Sequence, residues 1–195
     1  MKDLITQLEN YIPFNEQEEN DRRVLLEMLK EVDREYYTRN NETAHLSASA
    51  WVVSPDRTQV LMAYHNIYHS WSWLGGHADG ERDLLKTALR EVREESGIQN
   101  VKPVSEDIFS VEILTVDGHE KKGKYVSSHL HLNVTYLLEA DPNDPVFVKP
   151  DENSSVGLFE RNKAIEMSSE PWFQQRIYSK LNQKLEQFEK NTVQK

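Results

Sequence analysis

The chain has 195 residues, 37% of them hydrophobic and 29% charged, with a formal net charge of −10 and no cysteine. Its length suits one main core with an appendage better than two full domains, and the acidic balance works against broad contact with DNA or RNA, whose binding is driven by displaced counterions. Disulfides, thiolate metal sites and cysteine nucleophiles are excluded outright, whereas a small anionic substrate is compatible if a few lysines and arginines or a bound metal neutralise it locally.

The first forty residues carry a helical period. Leu4, Ile5 and Leu8, then Val24, Leu25, Met28, Leu29, Val32 and Tyr36 recur at three- and four-residue steps, with Pro13 between the two groups. This predicts an N-terminal helical extension over residues 1–43 ahead of a main domain over 44–195. Packing on that domain, covering its site and supporting a homodimer are all open roles for the extension. The opening "MKDLITQLENYIPF" has neither a continuous apolar segment nor a small-residue cleavage site, and no stretch reaches the ~20 apolar residues of a membrane span. A cytoplasmic protein with no membrane partner is therefore expected. Next, "HLSASAWVV" and "TQVLMAY", joined by "SPDR", predict the two strands of a hairpin. Tyr64, His65, Tyr68, Trp71 and Trp73 follow, suited either to stacking on a base or to core packing.

The stretch "GGHADGERDLLKTALREVREESGI" runs from Gly75 to Ile98. A helix is predicted from Asp83 to Ser96, with Leu85, Ala88, Leu89 and Val92 on its core face. At about 100° per residue, Glu91 and Glu95 share a neighbouring stripe and Glu94 lies around the corner, toward the side away from the core, so that the three carboxylates are expected to converge. Like charges one turn apart cost a few tenths of a kcal/mol in an isolated helix. A divalent cation between them removes the conflict; a solvated face with Arg90 and Arg93 as neutralisers is the plainer alternative. Gly75 and Gly76 form a turn that lets backbone approach a phosphate or metal closely, and Gly97 fits a helix C-cap.

Beyond the helix, "DIFSVEILTV" predicts a strand, "DGHEKKGKYVSS" a charged loop, and "HLHLNVTYLLEA" a strand with one buried face, from the alternation of Leu130, Leu132, Val134, Tyr136 and Leu138. His129 and His131 share the opposite face with Asn133 and Thr135. They suit contact with substrate, a second metal, or simple hydrogen bonding in the sheet. His77, in the glycine loop, suits substrate contact or loop packing. Lys121, Lys122 and Lys124 offer either a phosphate clamp or a solvated loop. A proline- and asparagine-rich connection, the short strand "VGLF" and a terminal helix complete the chain. Pro171 stands at the first helical position, and Trp172, Phe173, Ile177, Leu181, Leu185 and Phe188 form the apolar stripe. The pattern as a whole is that of a mixed α+β domain with its chemistry in the middle.

At Gly75 to Ile98 the sequence resembles the Nudix (MutT-like) hydrolase superfamily, whose box runs Gly, five residues, Glu, seven residues, then Arg-Glu-aliphatic-x-Glu-Glu-x-Gly-aliphatic. "REVREESGI", Arg90 to Ile98, matches the second half in full. The first half departs by one residue: counted from Gly75 the glutamate falls on Glu81, but eight residues then precede Arg90. In the family that glutamate braces the box arginine, so the resemblance makes Glu81, Arg90 and Gly97 the structural residues of the box. It also implies an α/β/α sandwich with a mixed sheet, carrying here an N-terminal helical extension and a C-terminal helix.

The activity implied is metal-dependent hydrolysis of a diphosphate linkage in a small nucleoside diphosphate derivative, with Mg²⁺ or Mn²⁺ as cofactor. Glu91 and Glu95 are the expected metal ligands, with Glu94 a third ligand or a proton acceptor. Many family members place the general base on a loop before a short strand, a place that Glu152 occupies in "PDENSSVGLF". The expected catalytic set is thus Glu94, Glu95 and Glu152, with Gly75, Gly76, His77, His129 and His131 facing substrate. Two other readings compete. An isopentenyl diphosphate isomerase of this architecture needs a cysteine, which the chain lacks; a nucleotide-sensing module that does not cleave commonly loses box glutamates, all three of which are retained.

Overall fold

Short polar caps start the N-terminal helices. In the computed structural model, which describes residues 3–32, 34–121 and 123–193, the Asp3 carboxylate accepts from the Thr6 amide at 3.3 Å and opens α1, Leu4–Asn10. Asn15 does the same for α2, Glu16–Leu29, accepting from Glu18 N at 3.0 Å. Leu4, Leu8 and Leu25 are buried, as their spacing predicts. The period does not carry on through Val32 and Tyr36. Val32 is 97% exposed, so a longer helix would gain no burial there, and Tyr36 is held instead by its carbonyl, which accepts from Leu46 N at 2.7 Å.

The expected hairpin is formed by β1, Ala44–Val53, and β2, Gln59–His65, antiparallel with Val53 opposite Val60. Asp56 shapes its turn by accepting from Ser54 Oγ at 2.6 Å and from the Thr58 amide at 3.1 Å. There follow β3, Ser70–Ser72, β4, Leu74–His77, helix α3, Leu84–Ser96, β5, Val101–Pro103, and β6, Ser110–Val116. A small hairpin, β7, His119–Lys121, and β8, Lys124–Val126, precedes β9, His129–Ala140. The chain then adds β10, Asn153–Glu160, and α4, Arg161–Met167, and ends in a helical run of Pro171–Phe173, a π turn at Gln174–Tyr178, and Ser179–Val193. Strand order along the main sheet is β10-β2-β1-β9-β5, with β3 on β2, β4 on β1 and β6 on β9. Among the described residues no helix is long and apolar enough to cross a membrane.

The chain divides into two compact units. The first comprises Met1–Ser49, Gly75–Arg90 and Ser105–Tyr136. Here β6 runs antiparallel to β9, from Ser110 opposite Thr135 to Val116 opposite His129. Leu132, Val134 and Tyr136 are buried as the alternation predicts, but so are Asn133 and Thr135 on the other face. The expectation of one buried face is therefore corrected to two. The polar face can be buried because its groups satisfy one another: Asn133 Oδ1 accepts from Ser47 and Ser49 at 3.0 and 2.9 Å, and Asn133 Nδ2 and Thr135 Oγ1 each donate to Glu112 at 2.9 Å. Ser110 links Glu112 to Glu18 of α2, and the Tyr11 hydroxyl sits 2.6 Å from Glu18 and 3.2 Å from the Phe109 carbonyl oxygen. The N-terminal helices thus pack on the sheet of this unit.

The second unit comprises Ala50–Leu74, Glu91–Val104 and Leu137–Lys195. Strand β2 pairs with β10, with Phe159 opposite Val60, and with β3, while β5 pairs with the end of β9. Trp51 and Tyr178, both fully buried, stack with centroids 5.6 Å apart. Ile177, Leu181 and Leu185 are fully buried, and Pro171 opens the helix as expected. Trp172 departs from the predicted stripe and is 48% exposed, because the π turn that follows shifts the phase of the helix.

Helix α3 ends at Gly97, whose amide donates to the Arg93 carbonyl at 2.9 Å and whose φ is +77°. A Cβ there would lie 2.7 Å from Phe147 Cδ2. Gly97→Ala is therefore expected to destabilise the protein by about 1–3 kcal/mol, read as a lower midpoint with unchanged slope in urea unfolding.

Candidate metal centre

Helix α3 carries its acidic residues on two different sides. Leu84, Ala88 and Val92 are buried, while Leu85 and Leu89, expected to be on the core face, are only half-buried. The buried arc therefore turns toward Glu91 and Glu95, which are 9% and 8% exposed. The expected convergence of three box glutamates is corrected to two: Glu94 points elsewhere, its side chain 47% exposed. The structure brings Glu91 and Glu95 together with Glu152, one carboxylate oxygen from each lying within 4.8 Å of the others.

Glu152 reaches this position through a loop held at several points. The Asn66 amide donates to the Glu152 carbonyl at 2.9 Å, and the Asn66 side chain to Pro150 O at 3.2 Å. Asn153, 2% exposed, accepts from Lys149 N at 3.1 Å and donates through Nδ2 to the Glu95 carbonyl at 2.9 Å. The Phe147 amide caps the Ser96 carbonyl at 2.7 Å. The ammonium of Lys149 bridges Glu152 at 3.0 Å and Glu94 at 3.3 Å. Partial burial pulls the pKa of Lys149 down, but the hydrogen bond and charge of Glu152, then of Glu94, outweigh it and leave the net shift upward. Lys149 and Asn153 are absent from the sequence-predicted set, since lysine and asparagine in a polar loop carry no periodic signal.

Fully ionised carboxylates one turn apart repel, and burial raises the cost of that repulsion. An oxygen-only set of this kind fits a hard divalent cation such as Mg²⁺ or Mn²⁺. The residues present therefore suit the cofactor that the resemblance implies.

The rest of the box region is largely structural in its contacts. Gly75 permits close packing of backbone on β1, where a Cβ would lie 2.6 Å from Ala48 O and 2.7 Å from Ser49 Cα. Gly76 lies beside it in β4. The Arg90 guanidinium donates to the His77 carbonyl at 3.1 Å, tying to the helix the strand β4, which stands in place of the expected Gly-Gly turn. Glu81 Oε1 accepts from the amides of Arg82 and Asp83 at 2.9 and 3.0 Å, and Oε2 pairs with Lys86 at 2.6 Å. That carboxylate organises the start of α3.

In the first unit His77, His129 and His131 gather with His45, one ring nitrogen from each lying within 4.8 Å of the others. Burial, and then repulsion by His77, His45 and His129, pushes the His131 pKa down to about 2, and burial lowers that of His45. Of the aromatic residues before the box, Trp71 packs edge-on against Phe159 at 4.7 Å and Tyr64 at 5.8 Å, and Trp73 packs edge-on against Tyr178 at 5.9 Å. Tyr68, 44% exposed, lies 4.5 Å from His65. Lys122 lies outside the described residues, and Lys124 is exposed on β8.

A family model described as NUDIX domain matches residues 43–181. No curated protein matches the chain by sequence. Among solved structures, an Ap4A hydrolase from C. elegans in a binary complex aligns with a TM-score of 0.53 and 22% identity, over 75% of this chain and 98% of that one. The E. coli dihydroneopterin triphosphate pyrophosphohydrolase aligns with a TM-score of 0.49 and 15% identity, over 69% of this chain and 92% of that one. The first likeness is one of fold.

The hydrogen bond from Lys86, followed by the backbone bond from Asp83, lowers the Glu81 pKa to about 2. A lowered carboxylate pKa gives stability that is present above the ordinary glutamate range and is lost as pH falls toward 2. Carboxyl NMR titration should show that low midpoint, and Lys86→Met should raise it toward the ordinary range.

Proposed function

The chain belongs to the NUDIX family and has its α/β/α fold, and from that premise we propose that it is a metal-dependent hydrolase cleaving a diphosphate linkage in a nucleoside diphosphate derivative. One observation carries the proposal: Glu91 and Glu95 of the intact "REVREES" segment converge with Glu152, oxygen to oxygen within 4.8 Å. We take residues 44–195 as the catalytic domain and 1–43 as its helical extension, in keeping with a family match that begins at residue 43.

When bound, Mg²⁺ or Mn²⁺ neutralises phosphate oxygens and lowers the pKa of water. Glu91 and Glu95 hold the cation, and their place on successive turns of one helix fixes the spacing of their oxygens. Glu152 accepts the proton of the attacking water. Its loop is fastened to α3 through Asn153 and Glu95 O, so the base and the ligands move together. Lys149 lies on Glu152 and Glu94. In this role it restrains the base, and its ammonium is available to a phosphate oxygen of the substrate. Glu94, through Lys149, sets how much of that ammonium charge Glu152 feels.

Glu95→Gln should lower kcat by orders of magnitude with the circular dichroism spectrum unchanged, and Glu152→Gln should lower it by about 10²- to 10⁴-fold, the range for a general base. Both are read by phosphate release with Mg²⁺ against a panel of nucleoside triphosphates, ADP-ribose, dinucleotide cofactors, nucleotide sugars and dinucleoside polyphosphates. Full activity of the Glu95 variant on the preferred substrate would overturn the site. Nucleotide binding without turnover across the whole panel would make the chain a sensing module instead. Asn153→Ala, which detaches the loop and keeps every carboxylate, should reduce kcat with little change in KM.

A further inference from the structure

We propose that the first unit holds a second metal site, a four-imidazole centre for a divalent transition ion of the Zn²⁺ class, made by His45, His77, His129 and His131.

The four rings come from three strands, His45 on β1, His77 on β4, and His129 and His131 on β9. Each offers one nitrogen within 4.8 Å of the other three. His45 and His129 are buried, at 4% and 9% exposure. The pairing of their other nitrogens decides what they present. Nδ1 of His45 lies 3.0 Å from the Asn41 carbonyl oxygen, and Nδ1 of His129 lies 2.8 Å from that of Ser127. A carbonyl only accepts, so both Nδ1 atoms carry the hydrogen and both Nε2 atoms of the neutral rings carry a lone pair. Backbone carbonyls on Nδ1 are the supports that fix metal-binding histidines in this tautomer.

The lone pairs are then left with too few donors. His45 Nε2 is buried and has no hydrogen-bond partner. His131 Nε2 lies 3.2 Å from both His129 Nε2 and His77 Nε2, and a single ring hydrogen on it serves only one of those contacts. Hydrogen bonds within the cluster therefore do not satisfy it. A cation does. With Zn–N bonds of 2.0–2.1 Å, neighbouring nitrogens of a tetrahedral site stand about 3.3–3.4 Å apart, close to the two 3.2 Å separations already present. Nitrogen-only donors select a borderline transition ion over Mg²⁺ or Mn²⁺, and four protein ligands with no open position are the mark of a structural rather than a catalytic centre.

The test uses the full-length chain stripped with chelator and titrated with Co²⁺, then Zn²⁺. About one equivalent of Co²⁺ should bind with the strong visible bands of a tetrahedral ion, remain in a Glu91→Gln/Glu95→Gln variant, vanish in His45→Gln and in His129→Gln, and be displaced by Zn²⁺. Absence of the bands in the unaltered chain, or their survival in both histidine variants, overturns the site. Ring ¹⁵N spectra of the unaltered chain need no substitution. Zn²⁺ should shift Nε2 of four histidines and leave Nδ1 of His45 and His129 protonated, and unmoved ring signals would sink the proposal.

Discussion

Everything in the second unit answers to two buried carboxylates placed one helical turn apart. Glu91 and Glu95 are exposed by less than a tenth, in a setting where bringing acidic groups close together is costly. The surrounding chain is nonetheless fastened so as to bring a third acid to them. Phe147 N on Ser96 O, Asn153 Nδ2 on Glu95 O and Asn66 N on Glu152 O join segments far apart in sequence, each bond directing the loop toward the end of α3. Gly97 is part of the same arrangement, since only a residue without a Cβ lets Phe147 cross so near the helix terminus. Close approach of three acids works against stability, and the loop contacts hold them together nonetheless.

The first unit shows a different way of burying polar groups. On the polar face of its strands Ser47, Ser49, Asn133, Thr135, Glu112 and Ser110 form one hydrogen-bonded network that continues to Glu18 of α2. The network explains why α1 and α2 are attached here: Glu18 and Tyr11 complete pairings that water would otherwise make. At the other end of the same face His45 Nε2 is buried without a hydrogen-bond partner.

Those parts of the fold that rest on local pattern were legible from residues. The β1–β2 hairpin follows from two apolar runs around a turn signal, α3 from its period and terminal glycine, and the convergence of Glu91 with Glu95 from helical geometry alone. Patterns that depend on what lies opposite misled. Alternation in β9 marks one apolar face truthfully, but it says nothing of Glu112 and the two serines that make the other face buriable. Val32 keeps the helical step beyond the helix yet stays exposed, because spacing carries no information about whether a partner surface exists. Glu81 stands one residue out of register with the family box, and its contacts are with the start of α3 and Lys86. Asn153 and Lys149 were invisible, being common loop residues whose roles come from tertiary hydrogen bonds. His45 was missed although it begins a strand in phase with Ser47 and Ser49, a phase that places it on the polar face with His129 and His131.

With cysteine absent, the two candidate donor sets differ in hardness. With no thiolate in the chain, imidazole is its strongest ligand for borderline transition ions, and four of its seven histidines are gathered in one place. The carboxylate set is hard, all oxygen and suited to an ion that keeps its own waters and shares them with phosphate. The imidazole set is softer and encloses its ion with protein nitrogen. A trace of Zn²⁺ would settle on nitrogen ahead of oxygen by affinity, whereas abundant Mg²⁺ would find no acceptable ligands among the imidazoles. Donor chemistry alone would therefore sort the two ions between the proposed centres, the nitrogen set enclosing a borderline ion and the oxygen set leaving positions for water and phosphate.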